Sequence, residues 1–148
     1  MGSSPYMYLV PYQPNFQRAL EELRDREFEA GRYNPVMRRP PHLVDDKSPP
    51  GPGRQHETIE EAQIEADADG TRSILDIDRV ANEPDFGVAQ RLTEEELQAL
   101  FGTATPTREQ VLEIMPPEDG ERGQAVCLAV YDAVGYPIEI FFGGWSCD

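Results

Sequence analysis

The spacing of apolar positions changes from segment to segment along this chain, and each spacing predicts an element. Tyr6-Met7-Tyr8-Leu9-Val10 is a short aromatic and β-branched run that stops at Pro11, which predicts a strand. From about residue 14 to 30 the spacing lengthens. Phe16, Ala19, Leu20, Leu23 and Ala30 share one helical face, and Gly31 supplies a stop. Thr58-Ile59-Glu60-Glu61 has the form of a capping box and opens a second helix to about residue 67. After the turn at Asp69-Gly70, residues 73–80 alternate as a strand would until Asn82-Glu83-Pro84-Asp85 breaks them. Thr93-Glu94-Glu95-Glu96 is another capping box, followed by the stripe Leu97, Leu100 and Phe101 and a stop at Gly102. Thr105-Pro106 opens a fourth helix to about Met115, ended by Pro116-Pro117. Two strands close the chain, at about 124–131 and 137–142, joined by Asp132-Ala133-Val134-Gly135. The first is almost continuously apolar, as a central strand is. The order β-α-α-β-α-α-β-β predicts an α+β fold, with an antiparallel or mixed sheet of about four strands and helices mainly on one face.

One stretch has no period. Residues 35–53 contain six Pro and two Gly, which continue neither a helix nor a ladder. A mobile, dispensable loop over residues 40–54 is the expectation. Residues 1–5 read as a tag remnant, with Met7 a natural start, and residues 6–148 as one domain. At 148 residues such a domain buries roughly 68–70% of its unfolded surface.

Charge narrows the partners. The chain carries 28 Asp and Glu against 13 Lys and Arg, a formal net charge of −15. Such a surface repels nucleic acid and anionic membranes and attracts basic proteins. No apolar run approaches the roughly 18 residues of a membrane span, and the first residues do not read as a signal peptide, so none is expected. The two cysteines, Cys127 in an apolar run and Cys147 near the chain end, form no disulfide framework. A buried, reduced, inert Cys127 and a cytoplasmic location are expected.

Candidate chemistry is sparse. Glu27 lies on the axis of the stripe Phe16, Leu20 and Leu23, at about 100° per residue. It is either a partly buried acid lining a pocket or, where the stripe leaves the core near the helix end, an acid that is exposed or paired to an Arg. Arg32, Tyr33 and Asn34 follow on the post-helix loop, where they either bind something or staple the loop. Asp76 and Asp78 share one face of the expected strand, as a metal-holding pair or a solvated edge. Asp67-Ala68-Asp69-Gly70 fails the calcium-loop register, because Arg72 and Asp78 stand where Gly and Glu are required. Trp145 either seals the core or anchors a partner. No phosphate loop, nucleophile elbow, metalloprotease or Cys-x-x-Cys motif occurs, and nothing calls for a metal or cofactor.

Three stretches carry a family resemblance: Arg26-Glu27-Phe28-Glu29-Ala30-Gly31-Arg32-Tyr33-Asn34-Pro35, Asp69-Gly70-Thr71-Arg72-Ser73-Ile74-Leu75-Asp76-Ile77, and the terminal Gly143-Gly144-Trp145-Ser146-Cys147-Asp148. The chain resembles a family of small bacterial proteins of unknown function over nearly its whole length. The resemblance implies a bacterial cytosolic origin and one intact domain. It brings no activity and no catalytic residue. The leading expectation is a non-enzymatic acidic interaction protein, of the inhibitor or immunity type, that binds a basic partner. The alternatives are a small enzyme or ligand-binding domain with a pocket near Glu27, Arg32 and Tyr33, and a DNA mimic.

Overall fold

The computed structural model describes residues 4–118 and 120–146. Within them, six strands make one mixed sheet. They are β1 (Pro5–Pro11), β2 (Leu43–Val44), β3 (Arg79–Ala81), β4 (Val88–Arg91), β5 (Ala125–Tyr131) and β6 (Pro137–Trp145), in the order β2-β1-β6-β5-β4-β3. β6 is central and runs antiparallel to both β1 and β5. β2 adds to β1 in parallel, and β4 and β3 extend the other edge in parallel. Four α-helices accompany the sheet among the described residues: α1 (Phe16–Ala30), α2 (Ile59–Ala66), α3 (Glu94–Phe101) and α4 (Arg108–Ile114).

Alternation along the three central strands decides where the helices go. Tyr6, Tyr8 and Val10 of β1, Ala125 and Cys127 of β5, and Ile140 and Phe142 of β6 pack with Phe16, Ala19, Leu20 and Leu23 of α1. Their sequence neighbours Leu9, Leu128, Val130 and Phe141 pack with Leu97 of α3 and Val111 of α4. Both faces of the sheet are therefore covered. This corrects the expectation of helices mainly on one face. The near-continuous apolar run of β5 is explained by the same two-sided burial. Cys127 lies fully buried and free in this core, and burial pushes its thiol up to about 12. Cys147 lies outside the described residues.

Six strands replace the expected four, and the differences have local causes. Residues 73–80 do not form one strand. Ser73 Oγ accepts from Leu75 N at 3.2 Å, and Thr71 N and Oγ1 donate to the Asp76 carboxylate at 3.1 and 2.8 Å. These local side-chain bonds turn Ile74–Asp76 into a 3-10 turn and leave only β3 as strand. β4 and β2 are short and gain definition only from their parallel partners. β6 runs beyond Phe142 because Gly144 lets β5 approach. A Cβ there would lie 2.3 Å from Gln124 O. The fourth helix is capped by Thr107 rather than Thr105.

The Pro-rich segment is tied down. Met7 N donates to His42 O at 2.8 Å where β2 joins β1. Arg32 Nη1 donates to Pro49 O at 2.9 Å, and Gly53 N to Ala30 O at 2.8 Å. Arg108 pairs with Asp45. Gly31 is left-handed, with φ 75°, and a Cβ there would meet Gly53 O at 2.2 Å. The expectation of a stretch without ladder contacts is corrected by these bonds. Of the expected tag remnant, Ser4 and Pro5 belong to the fold: Pro5 begins β1, and Ser4 N donates to Ser146 Oγ at 2.8 Å. Residues 1–3 lie outside the described residues.

Candidate functional site

Glu27 is completely buried, on the stripe of α1 where the helix leaves the sheet. A carboxylate taken out of water must be paired. Arg32 supplies the pair as a two-bonded fork, Nε to Oε1 at 2.8 Å and Nη2 to Oε2 at 2.6 Å. Arg26 Nε adds a third bond, to Oε2, at 2.9 Å. Arg32 reaches back because Gly31 turns the chain, and its own N–H donates to Glu27 O at 3.2 Å. The bonds to Glu27 raise the Arg32 guanidinium further above its ordinary value. Three hydrogen bonds from two arginines thus meet a carboxylate that has no solvent exposure. Its charge also acts on Tyr8, whose phenol burial and Glu27 together hold above its usual range.

Asn34 is also buried, and its Nδ2 donates to Gly70 O at 2.8 Å. Tyr33 stacks on Phe28, ring centres 5.8 Å apart, within a small core with Ala62 and Leu75. Its hydroxyl lies 2.8 Å from His56 Nδ1, and His56 Nε2 lies 2.6 Å from Glu65 Oε1. Burial raises the Tyr33 phenol above its ordinary value. His56 and Glu65 border a depression of about 450 Å³ with Pro35, Val36, Pro52 and Gln55. Tyr33 stands behind it rather than in it. No sequence signal marked His56, because it pairs with residues 23 and nine positions away.

Thus Glu27 and Arg32 meet each other, Asn34 fastens the adjacent turn, Tyr33 reaches a surface depression through His56, and Trp145 lines a separate one of about 200 Å³. Asp76 and Asp78 are not brought together on a sheet face. Asp76 is consumed by Thr71, and burial raises its carboxyl above the usual range against those bonds. Asp78 is exposed beside Arg79. Among the described residues no group of three or more His, Cys, Asp or Glu is placed to hold a metal ion. Trp145 is half-buried, its indole N–H donates to Pro117 O at 2.7 Å, and its ring lies against Gly120.

The strongest exposed feature lies on α2. Residues 57–69 hold six carboxylates and no Lys or Arg. Glu57, Glu60, Glu61, Glu65, Asp67 and Asp69 are all exposed. Glu60 and Glu61 suit the first turn of the helix. Glu61 Oε2 also accepts from Glu57 N at 3.1 Å, and Glu65 is bonded to His56. Glu61 and Glu65 are like charges at i,i+4, and Asp67 and Asp69 follow the helix end that favours cations. Ile64 stands among them with 76% of its surface exposed. Ala62 and Ala66 hold the opposite face on the Phe28–Tyr33 core.

No family model, curated protein or solved structure matches this chain, consistent with its resemblance to proteins of unknown function. No helix among the described residues is long and apolar enough to cross a membrane.

Proposed function

We propose that this chain is a non-enzymatic acidic interaction protein of the bacterial cytosol, of the inhibitor or immunity type, and that α2 docks a basic protein partner. One observation carries the reading. Ile64 is an exposed apolar side chain set in exposed carboxylates, of which Asp67 and Asp69 stand at the helix end that favours cations. Bonds within the fold account for Glu60, Glu61 and Glu65 but not for Asp67, Asp69 or the exposed Ile64, which a partner with a basic rim around an apolar socket would engage. Ile64 replaces Trp145 as the anchor in this reading, since Trp145 is engaged with Pro117.

The test is affinity capture from the source cell with the wild type and with an Ile64→Ser, Glu60→Lys, Glu61→Lys variant. The expected result is a basic protein retained by the wild type, lost with the variant, and bound at a measurable 1:1 affinity when purified. Equal retention by both chains would sink the proposal.

One observation favours the alternative, a ligand-binding domain or small enzyme. His56 and Glu65, backed by Tyr33 through its hydrogen bond to His56, border a depression of about 450 Å³. Under that reading His56→Gln abolishes ligand-dependent stabilisation while the α2 variant leaves it intact.

A further inference from the structure

The depression beside Trp145 holds about 200 Å³. Its floor belongs to three strands. Gln90 of β4, Val126 of β5 and Gly143 of β6 stand side by side in register. Alternation turns them to the face that carries α3 and α4, because their neighbours Ala89, Ala125 and Phe142 pack with α1. The helices cover Leu128, Val130 and Phe141 further along that face. Trp145, two residues beyond Gly143, borders the uncovered end with Pro117, Glu121 and Gln124.

The polar groups of the depression are unevenly engaged. The Trp145 indole N–H is held by Pro117 O at 2.7 Å, and Gln90 Nε2 donates to Glu96 Oε2 at 3.4 Å. Both bonds engage donors. Gln90 Oε1 and the Glu121 carboxylate are left, and neither accepts a hydrogen bond from a described residue. Gln124 adds a half-buried amide that serves either way. No Lys or Arg lines the depression among the described residues. A ligand that satisfies these groups must therefore donate hydrogen bonds, and the net charge of −15 favours one that is also positive. Trp145 supplies aromatic surface that attracts both apolar bodies and cations.

We propose that this depression binds a small organic amine in its ammonium form. The ammonium is directed to Glu121 and the glutamine amide oxygens, and the apolar body lies against Trp145 and Val126. A cavity of about 150 Å³ holds benzene, so the space here takes one ring with a short arm. An anion would meet an unpaired carboxylate and no cation. The inference is independent of the α2 docking face, which offers no enclosed space.

Trp145 is the one tryptophan of the chain, so its indole N–H resonance reports on this depression alone. The test titrates benzylamine, benzyl alcohol and methylammonium into the full chain at neutral pH and constant ionic strength, following that resonance. Benzylamine should give a saturable shift. Benzyl alcohol, which keeps the ring and loses the charge, should bind at least about tenfold more weakly, close to 1.4 kcal/mol. Methylammonium, which keeps the charge and loses the ring, should not saturate. Glu121 is exposed and lies outside every helix and strand, so Glu121→Gln should keep its fold and bind benzylamine no better than the alcohol. Glu22→Gln makes the same change of charge on α1, across the sheet, and should bind as the wild type does. A non-saturating response to benzylamine would overturn the proposal, as would equal affinity for benzyl alcohol or undiminished binding by Glu121→Gln. Equal weakening by Glu22→Gln would overturn it too, because the attraction would then belong to the diffuse field of the whole chain.

Discussion

At the scale of single residues, Glu27 shows how one buried charge organises its neighbourhood. Its carboxylate holds Arg32, and Arg32 holds Pro49. Removing one partner leaves the other charge buried without compensation. Glu27→Ala should therefore destabilise the fold by about 3 kcal/mol or more. Replacing both, as Glu27→Leu with Arg32→Met, should recover part of that loss in chemical denaturation, because apolar pairs often match buried ion pairs. Arg32→Lys should behave as a loss, since an ammonium cannot reproduce the fork. Asp132 gives a pH effect of known sign. Its exposed turn carboxylate accepts from the N–H groups of Tyr136, Val134 and Gly135, which hold its pKa below the ordinary 3.8. A lowered folded-state pKa adds stability above the unfolded value and loses it as pH falls through the folded one. Asp132→Asn should show a shallower loss of stability below that pH than the wild type, as followed by urea unfolding at stepped pH. Equal slopes would contradict the assignment.

At the scale of elements, the Pro-rich segment makes the contrast between composition and structure plain. Its prolines forbid a regular element, yet Leu43–Val44 still pairs with β1, and single backbone groups of Pro49 and Gly53 hold α1. Replacing residues 45–52 by a short Gly-Ser linker should lower the melting temperature by more than about 8 °C, over 2 kcal/mol for a domain of this size. The Arg32 guanidinium loses its backbone acceptor, and a charged donor left without one is costly. An unchanged melting temperature would instead support the expectation of a dispensable loop. The Thr58 cap and the Thr93 capping box were legible because their bonds span three residues, although Glu61 bonds Glu57 N rather than closing a box on Thr58. The turn at Ile74–Asp76 was not, because the alternation of Leu75 to Ile77 looks the same whether the backbone is extended or coiled.

At the scale of the whole molecule, charge acts before contact. If α2 receives a basic partner, the association rate should fall steeply between low and physiological salt, as the Debye length shrinks from about 30 Å to about 8 Å. Ile64→Ala should leave that rate nearly unchanged and raise the dissociation rate, because an apolar anchor acts after encounter. Both are read in one surface-binding titration. A salt-independent association rate would remove the steering half of the proposal.

The sequence by itself determined what depends on near neighbours and on totals. The apolar stripe of α1, its stop at Gly31, the caps, the two long strands at the chain end, the buried Cys127 and the net charge of −15 were all legible, since each rests on spacing within a few residues or on counting. Even the oddity of Glu27 was visible as a carboxylate on an apolar stripe. Its meaning was not. Only the tertiary structure decided that Arg32 closes on it, that Tyr33 reaches His56, that helices cover both faces of the sheet, and that Gln90, Glu121 and Trp145 share one depression. Those outcomes join residues from separate elements. Periodicity carries no information about which distant segments meet, because that choice is made by burial and pairing over the whole chain at once.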